Sequence, residues 1–159
     1  MDGDTNESYL VIWTTTPWTL PANLAIAVHP RKSYIEVITN KKTYWVADAL
    51  YDSFISACGI LDFKKGQIVV GDELVSRETE HPFIDRSSPV VSAEYVTTES
   101  GTGCVHIAPG HGLDDYITGL QNGLEVYCPL DDNGCYVDDG QIPQSLVGVS
   151  VLEKASGCR

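Results

Sequence analysis

Two short stretches carry the residues able to do chemistry. The first is VIWTTTPWTL, residues 11–20. Its apolar strand formers give way to three hydroxyls, Thr14, Thr15 and Thr16, then Pro17, with the indoles of Trp13 and Trp18 on either side. The second is GTGCVHIAPGHGLDDY, residues 101–116. It runs from a glycine-rich turn through a short apolar strand into a loop, Ala108 to Gly112, which leads to the paired carboxylates Asp114 and Asp115. Glycines in such a loop let backbone pack tightly against a ligand or another strand.

Each group also has a plainer reading. Threonine hydroxyls at a strand end often satisfy local backbone groups; Pro17 then fixes the turn and Trp18 is core. Cys104 and His106, two apart on a strand, face the same side. They resemble the thiol and base of cysteine hydrolases, or are simply a small core residue beside a histidine. His106, His111, Asp114 and Asp115 offer metal-ligating atoms without a recognised ligand spacing such as HExxH. Asp114 and Asp115 open a helix, where negative charge offsets the helix dipole. Two carboxylates exceed what a cap requires, and one opening onto a pocket would receive an ammonium group.

The elements that must position these groups are mostly strands. Tyr9–Trp13, Leu24–Val28, Tyr34–Ile38, Thr43–Val46, Gln67–Val70, Ala93–Val96, Gly103–Ile107 and Leu124–Tyr127 are short runs rich in β-branched and aromatic residues, bounded by turn formers. Asn40-Lys41-Lys42 and Asp132-Asn133-Gly134 are predicted turns, the second favoured by Asn-Gly. Helical spacing occurs twice. One helix starts from Asp48 as N-cap, places Leu50, Phe54, Ile55 and Cys58 on one face and ends at Gly59; the other runs from Leu113 to Gln121. Many short strands with few helices predict a compact β-rich fold, a barrel with peripheral helices.

Composition sets the outer bounds. The 159 residues, 43% hydrophobic, suit one domain with a real core, and no repeat or linker interrupts them. A formal charge of −12 argues against a surface that grips a nucleic-acid backbone, which takes Lys and Arg. Five cysteines, an odd number without a CxxC pair, predict reduced and mostly buried thiols. No stretch approaches the roughly 18 apolar residues of a membrane span, and MDGDTNES lacks the regions of a signal peptide, so a cytosolic protein with no membrane partner is expected.

The stretch VIWTTTPWTLPANLAIAV, followed about 80 residues later by GTGCVHIAPGHGLDDY, resembles the editing domain of the isoleucyl-tRNA synthetases, the insertion that interrupts their catalytic domain. The sister enzymes for valine and leucine look similar but carry arginine where this chain has Thr16 and acidic residues where Trp18 stands. The resemblance implies a mainly β, closed β-barrel-like editing domain with a few peripheral helices, residues 1–159 as one domain excised from a longer synthetase chain. It implies hydrolysis of the ester of valyl-tRNA(Ile) by a positioned water, with isoleucine rejected by pocket size. A second sieve is needed because one methylene in an apolar pocket is worth only about 1–3 kcal/mol, a limit for which isoleucine against valine is the standard case.

By the same resemblance, Thr14, Thr15 and Thr16 line the pocket for the terminal adenosine and the aminoacyl ester. Trp18 forms its wall, and Thr19 contributes to amino-acid discrimination. Asp115 holds the α-ammonium, and His106 lies near the amino-acid side chain as sieve or water-ordering group. Asp115, His106 and Thr16 are the expected catalytic set, and no metal is expected. Trp13 is left as core. Cys104 departs from the smaller residue associated with its position, which alters pocket volume if the thiol faces the pocket. No cofactor is implied for the domain itself; ATP and magnesium belong to the synthetic site of the full-length enzyme. The implied partners are the 3′ end of tRNA(Ile) carrying valine and the rest of the synthetase chain, whose other parts make the phosphate contacts; a monomer is expected. The alternatives are a non-catalytic module binding aminoacyl-adenosine or the tRNA 3′ end, and an unrelated Cys- or metal-dependent hydrolase.

Overall fold

The computed structural model describes residues 7–152. Its strands are β1 Glu7–Leu10, β2 Ala25–Val28, β3 Ser33–Ile38, β4 Lys42–Ala47, β5 Lys64–Val70, β6 Glu78–Glu80, β7 Ser87–Ser92 and β8 Cys104–Ile107; its helices are α1 Tyr51–Cys58 and α2 Leu113–Gln121. The strands form two four-stranded sheets, ordered β1-β4-β3-β5 and β6-β7-β2-β8. The described residues cluster into two compact units. One takes the chain up to Thr15, Ala25–Thr79 and Ser88–His106; the other takes Thr16–Leu24, Glu80–Ser87 and the chain from Ile107 onward.

In the first unit, β3 and β4 form the hairpin predicted at Asn40. Thr39 closes its turn: its N–H and hydroxyl both donate to the Lys42 carbonyl, at 2.9 and 2.8 Å, and its Oγ1 accepts from Lys42 N–H at 3.0 Å. β1 joins β4 in parallel, from Glu7 opposite Lys42 to Leu10 opposite Trp45. Alternate residues of the hairpin feed different cores. Tyr34, Trp45 and Ala47 pack with Val28, Val90 and Cys104, whereas Ile35, Val37 and Val46 pack with Tyr51 and Phe54 of α1. Burial on both faces explains why these strands read as nearly continuous apolar runs.

Tyr34 ties this hairpin to the glycine-rich turn before β8. Fully buried, its hydroxyl accepts from His29 N–H at 2.9 Å and donates to the Gly103 carbonyl at 2.6 Å. Burial holds the phenol well above the ordinary tyrosine range, so it stays a donor. Gly103 is required here: its φ is +78°, and a Cβ on it would lie 2.4 Å from the Cβ of Ala47. Ala47 N–H in turn donates to the Thr102 carbonyl at 2.8 Å.

Several expectations need correction. The sheets do not close into a barrel among the described residues: both strand orders are linear, ending at β1 and β5 and at β6 and β8, whereas closure requires every strand to pair on both sides. The fold is mainly β with few helices. Ala93–Val96 is a turn, closed by Val96 N–H on the Ala93 carbonyl, and the strand lies just before it as β7. Pro89 and three serines hid that strand, since proline and serine read as turn formers. Leu124–Tyr127 forms no strand, and the first strand stops at Leu10, leaving Trp13 65% exposed rather than core. Asp48 does not cap α1; it begins a 3-10 turn, and Leu50 stands at the helix N-cap without a side-chain bond. Gly59 does end α1, at φ 61°. Cys104 is buried, but Cys58 and Cys128 are exposed and Cys135 is half-buried; all four are free, and Cys158 lies outside the described residues. Among the described residues no helix is long and apolar enough to cross a membrane.

Tyr34→Phe removes both hydrogen bonds and leaves a buried N–H and a buried carbonyl unpaired. The expected loss is about 1–3 kcal/mol of unfolding free energy, measured by urea denaturation.

Candidate functional site

The threonine stretch leads into a 3-10 helix, Pro17–Ala22, with Pro17 in its first turn and Pro21 inside it. Proline presets the backbone angle but supplies no N–H, so Pro21 offers the Trp18 carbonyl no donor, while Asn23 N–H donates to the Leu20 carbonyl at 2.9 Å. Thr19 also bonds locally: its N–H and hydroxyl both donate to the Thr16 carbonyl, at 3.0 and 2.9 Å. Distant residues of the second unit add further donors. Tyr136 Oη donates to the Trp18 carbonyl, and His81 Nε2 bonds the Leu20 carbonyl at 2.8 Å. Arg86 Nη1 reaches the carbonyls of Pro21 and Asn23, both at 3.0 Å. None of these three residues was singled out from sequence, and no local signal marks them, because their partners lie 61 to 118 positions away.

The loop after β8 belongs to the same unit. Leu24 N–H donates to the Ile107 carbonyl at 2.9 Å, and Ala22, Ala108 and Tyr127 share a core cluster with Leu24 beside them. The second unit thus places the end of the threonine segment against the start of the Asp115 loop. Gly110 explains the glycine content of that loop: a Cβ there would lie 2.3 Å from the Tyr127 carbonyl oxygen. The close approach is to backbone.

Asp115 is half-buried in the first turn of α2, while Asp114 is exposed. Asp115 Oδ2 accepts from Ala108 N–H at 3.0 Å, so the carboxylate also shapes the loop. Burial raises its pKa against the opposing effect of that bond; Asp114 raises it further and His111 lowers it. His111 donates its backbone N–H to the Ala108 carbonyl at 2.9 Å. Its Nε2 is buried and makes no hydrogen bond, and burial lowers its pKa against the opposing pull of Asp115. Sequence reasoning weighed His111 only as a metal ligand; its place beside Asp115 adds it to the site's surroundings.

Of the other expected site residues in this unit, Thr16 and Trp18 are exposed, Trp18 at 44%, and Thr19 is buried. Thr14, Thr15 and His106 belong to the first unit. There Thr14 is half-buried, Thr15 exposed, and His106 buried on β8. Cys104 packs in the core with Tyr34, Trp45 and Val90, and burial pushes its thiol up to about 12. Such a thiol is neither a thiolate nucleophile nor a wall of an open pocket. Among the described residues no three or more His, Cys, Asp or Glu side chains form a group that could hold a metal ion.

No protein-family model matches the chain. The isoleucine–tRNA ligase of Desulfotalea psychrophila is 48% identical over 134 residues, covering 84% of this chain and 14% of that protein. That of Carboxydothermus hydrogenoformans is 52% identical, covering 83% and 14%, and that of Fervidobacterium nodosum is 47% identical, covering 96% and 17%. Its homologues are isoleucine–tRNA ligases. The chain spans about one sixth of the length of these relatives or less. Among solved structures, the crystal structure of GlLeuRS-CP1 matches with a TM-score of 0.65 at 20% identity, covering 97% of this chain and 65% of that one. The cytosolic leucyl-tRNA synthetase editing domain of P. falciparum matches at 0.61 and 15% identity, covering 70% and 45%. The chain is therefore homologous to one segment of the isoleucine–tRNA ligases and has the fold of leucyl-tRNA synthetase editing domains.

His81 and His111 both have folded-state pKa values below 6.5, chiefly through burial. The unfolded chain therefore binds more protons than the folded one as pH falls through that value, and the stability tied to the neutral rings is lost. Denaturant midpoints are expected to hold above about pH 6.5 and to decline below it. His81→Gln should flatten that decline.

Proposed function

We propose that the chain is the hydrolytic editing domain of an isoleucine–tRNA ligase, cleaving the ester of tRNA(Ile) that carries valine. The observation that carries this reading is the conjunction of 47–52% identity to isoleucine–tRNA ligases with the fold of leucyl-tRNA synthetase editing domains. In the reaction, water attacks the ester carbonyl carbon, the bond to the ribose oxygen breaks, and that oxygen leaves with a proton, giving free valine and tRNA. The water is positioned by the site, with no covalent enzyme intermediate.

Asp115 receives the α-ammonium of the amino acid. Its half-burial supports this role, because a carboxylate short of water gains most from an incoming opposite charge, which would draw its raised pKa back down. Thr14, Thr15 and Thr16 take the adenosine and the ester, Trp18 gives the wall its shape, and Thr19 contributes through its hold on the Thr16 carbonyl. His106 sits as the sieve against isoleucine and orders the attacking water. The partners are the 3′ end of the tRNA and the remainder of a synthetase chain; ATP and magnesium serve the synthetic site elsewhere in that chain. Contact limited to the 3′ end reconciles a charge of −12 with a polyanionic substrate. The domain acts in the cytoplasm as a monomer.

Calorimetric titration with valyl-adenosine and isoleucyl-adenosine in which an amide replaces the ester tests this reading. Valine is expected to bind and isoleucine not; binding of neither, or of both equally, overturns it. Asp115→Asn keeps an acceptor for Ala108 N–H while removing the charge, and should weaken the valine analogue by on the order of 10- to 100-fold. His106→Ala should admit isoleucine. Release of valine from valyl-tRNA(Ile) separates a deacylase from a domain that only binds.

A further inference from the structure

A cleft of about 440 Å3 opens in the second unit, between residues 83–86 and 140–143. None of the residues assigned above to ester cleavage lines it. The volume lies within the roughly 300–1,000 Å3 usual for small-ligand sites. Phe83 is its aromatic wall, 48% exposed yet held in place. Its ring stands 4.7 Å from that of buried His81, at 86°, and its N–H donates to His81 Nδ1 at 3.4 Å. The His81 ring is itself anchored on the Leu20 carbonyl. An aromatic ring that is fixed and half uncovered is a stacking platform whose ordering cost is already met.

Two polar groups of the cleft, Arg86 and Gln141, are held as well. The Arg86 guanidinium is held by the Pro21 and Asn23 carbonyls and lies 4.9 Å from the centre of the Tyr127 ring. Its Nη2 donates to Gln141 Oε1 at 3.3 Å. That bond takes the amide oxygen and leaves Gln141 presenting N–H donors, and Asp85, which also lines the cleft, brings a carboxylate acceptor. Asp85 and Arg86 cancel in formal charge, so the cleft suits a neutral ligand better than a phosphate. A flat, neutral ring with donors and acceptors along one edge is a nucleobase, and amide and carboxylate side chains are established readers of base edges.

We infer that this cleft binds an unpaired nucleobase of the RNA strand whose terminal adenosine enters the proposed editing site. The identity of the strand rests on the editing reading; the preference for a stacked base does not. Three probes are titrated calorimetrically against the chain: the valyl-adenosine amide, the same amide carried on the trinucleotide CCA, and bare CCA. The aminoacylated trinucleotide is expected to bind about tenfold more tightly than the mononucleoside amide. Phe83→Ala should erase that gain and leave the mononucleoside affinity unchanged, while Phe83→Tyr retains it. Because Phe83 is half exposed, the fold should tolerate both changes, checked by an unchanged amide NMR spectrum away from the cleft. Equal affinities for the two amides, or a gain that survives Phe83→Ala and Gln141→Ala, overturns the inference. Phe83-dependent binding of CCA without binding of the mononucleoside amide upholds the cleft and overturns the editing reading; binding of no probe overturns both.

Discussion

The pairing of β2 with β8 is the constraint on which the candidate site depends. The 3-10 helix that follows the threonines ends at Ala22, shortly before β2 begins, and the glycine and aspartate loop starts where β8 ends. Since the two strands are neighbours in one sheet, Leu24, just before β2, and Ile107, at the end of β8, come side by side within the second unit. A bond from Leu24 N–H to the Ile107 carbonyl joins them. Register matters as much as adjacency. A slip of one residue would exchange the faces of β8, turning Cys104 out of the core and Val105 into it.

What holds the 3-10 segment in shape is a set of hydrogen bonds from far along the chain. Pro17 and Pro21 make the 3-10 helix stiff and take two N–H donors from it. Tyr136, His81 and Arg86 bond three of its carbonyls, those of Trp18, Leu20 and Pro21, and Arg86 also bonds that of Asn23 just after it. Arg86 is itself fixed, its guanidinium lying against the Tyr127 ring. The segment is therefore held in one shape by the protein's own hydrogen bonds, so little ordering is left to be done when a ligand arrives.

The sequence was legible where a residue's own chemistry set its local conformation. Asn40 and Gly134 marked turns, Gly59 ended α1, and α2 falls at Leu113 to Gln121 as its spacing predicts. The central strands were legible because burial on both faces made them apolar throughout. Legibility failed where tertiary context overrode type. β7 was hidden by Pro89 and serines, and Asp48 offered a cap the helix does not use. Trp13 looked like core because an indole usually is, yet the strand that would have buried it ends three residues earlier. The residues expected at the candidate site were named from their type, spacing and resemblance. Their supporting groups were not, because nothing in a histidine at 81 or an arginine at 86 says which distant carbonyl it will meet.

The chain passes between its two units five times, after Thr15, Leu24, Thr79, Ser87 and His106. Neither unit is a contiguous piece of polypeptide, so neither can be cut out and studied alone. The arrangement also sets an order of events during synthesis. At a ribosomal rate of about 5–20 residues per second, Leu24 waits on the order of ten seconds for its partner Ile107 to be added. The most chemically distinctive segment of the chain is thus among the last to find its place, and it reaches its full set of partners only once Tyr136 has emerged.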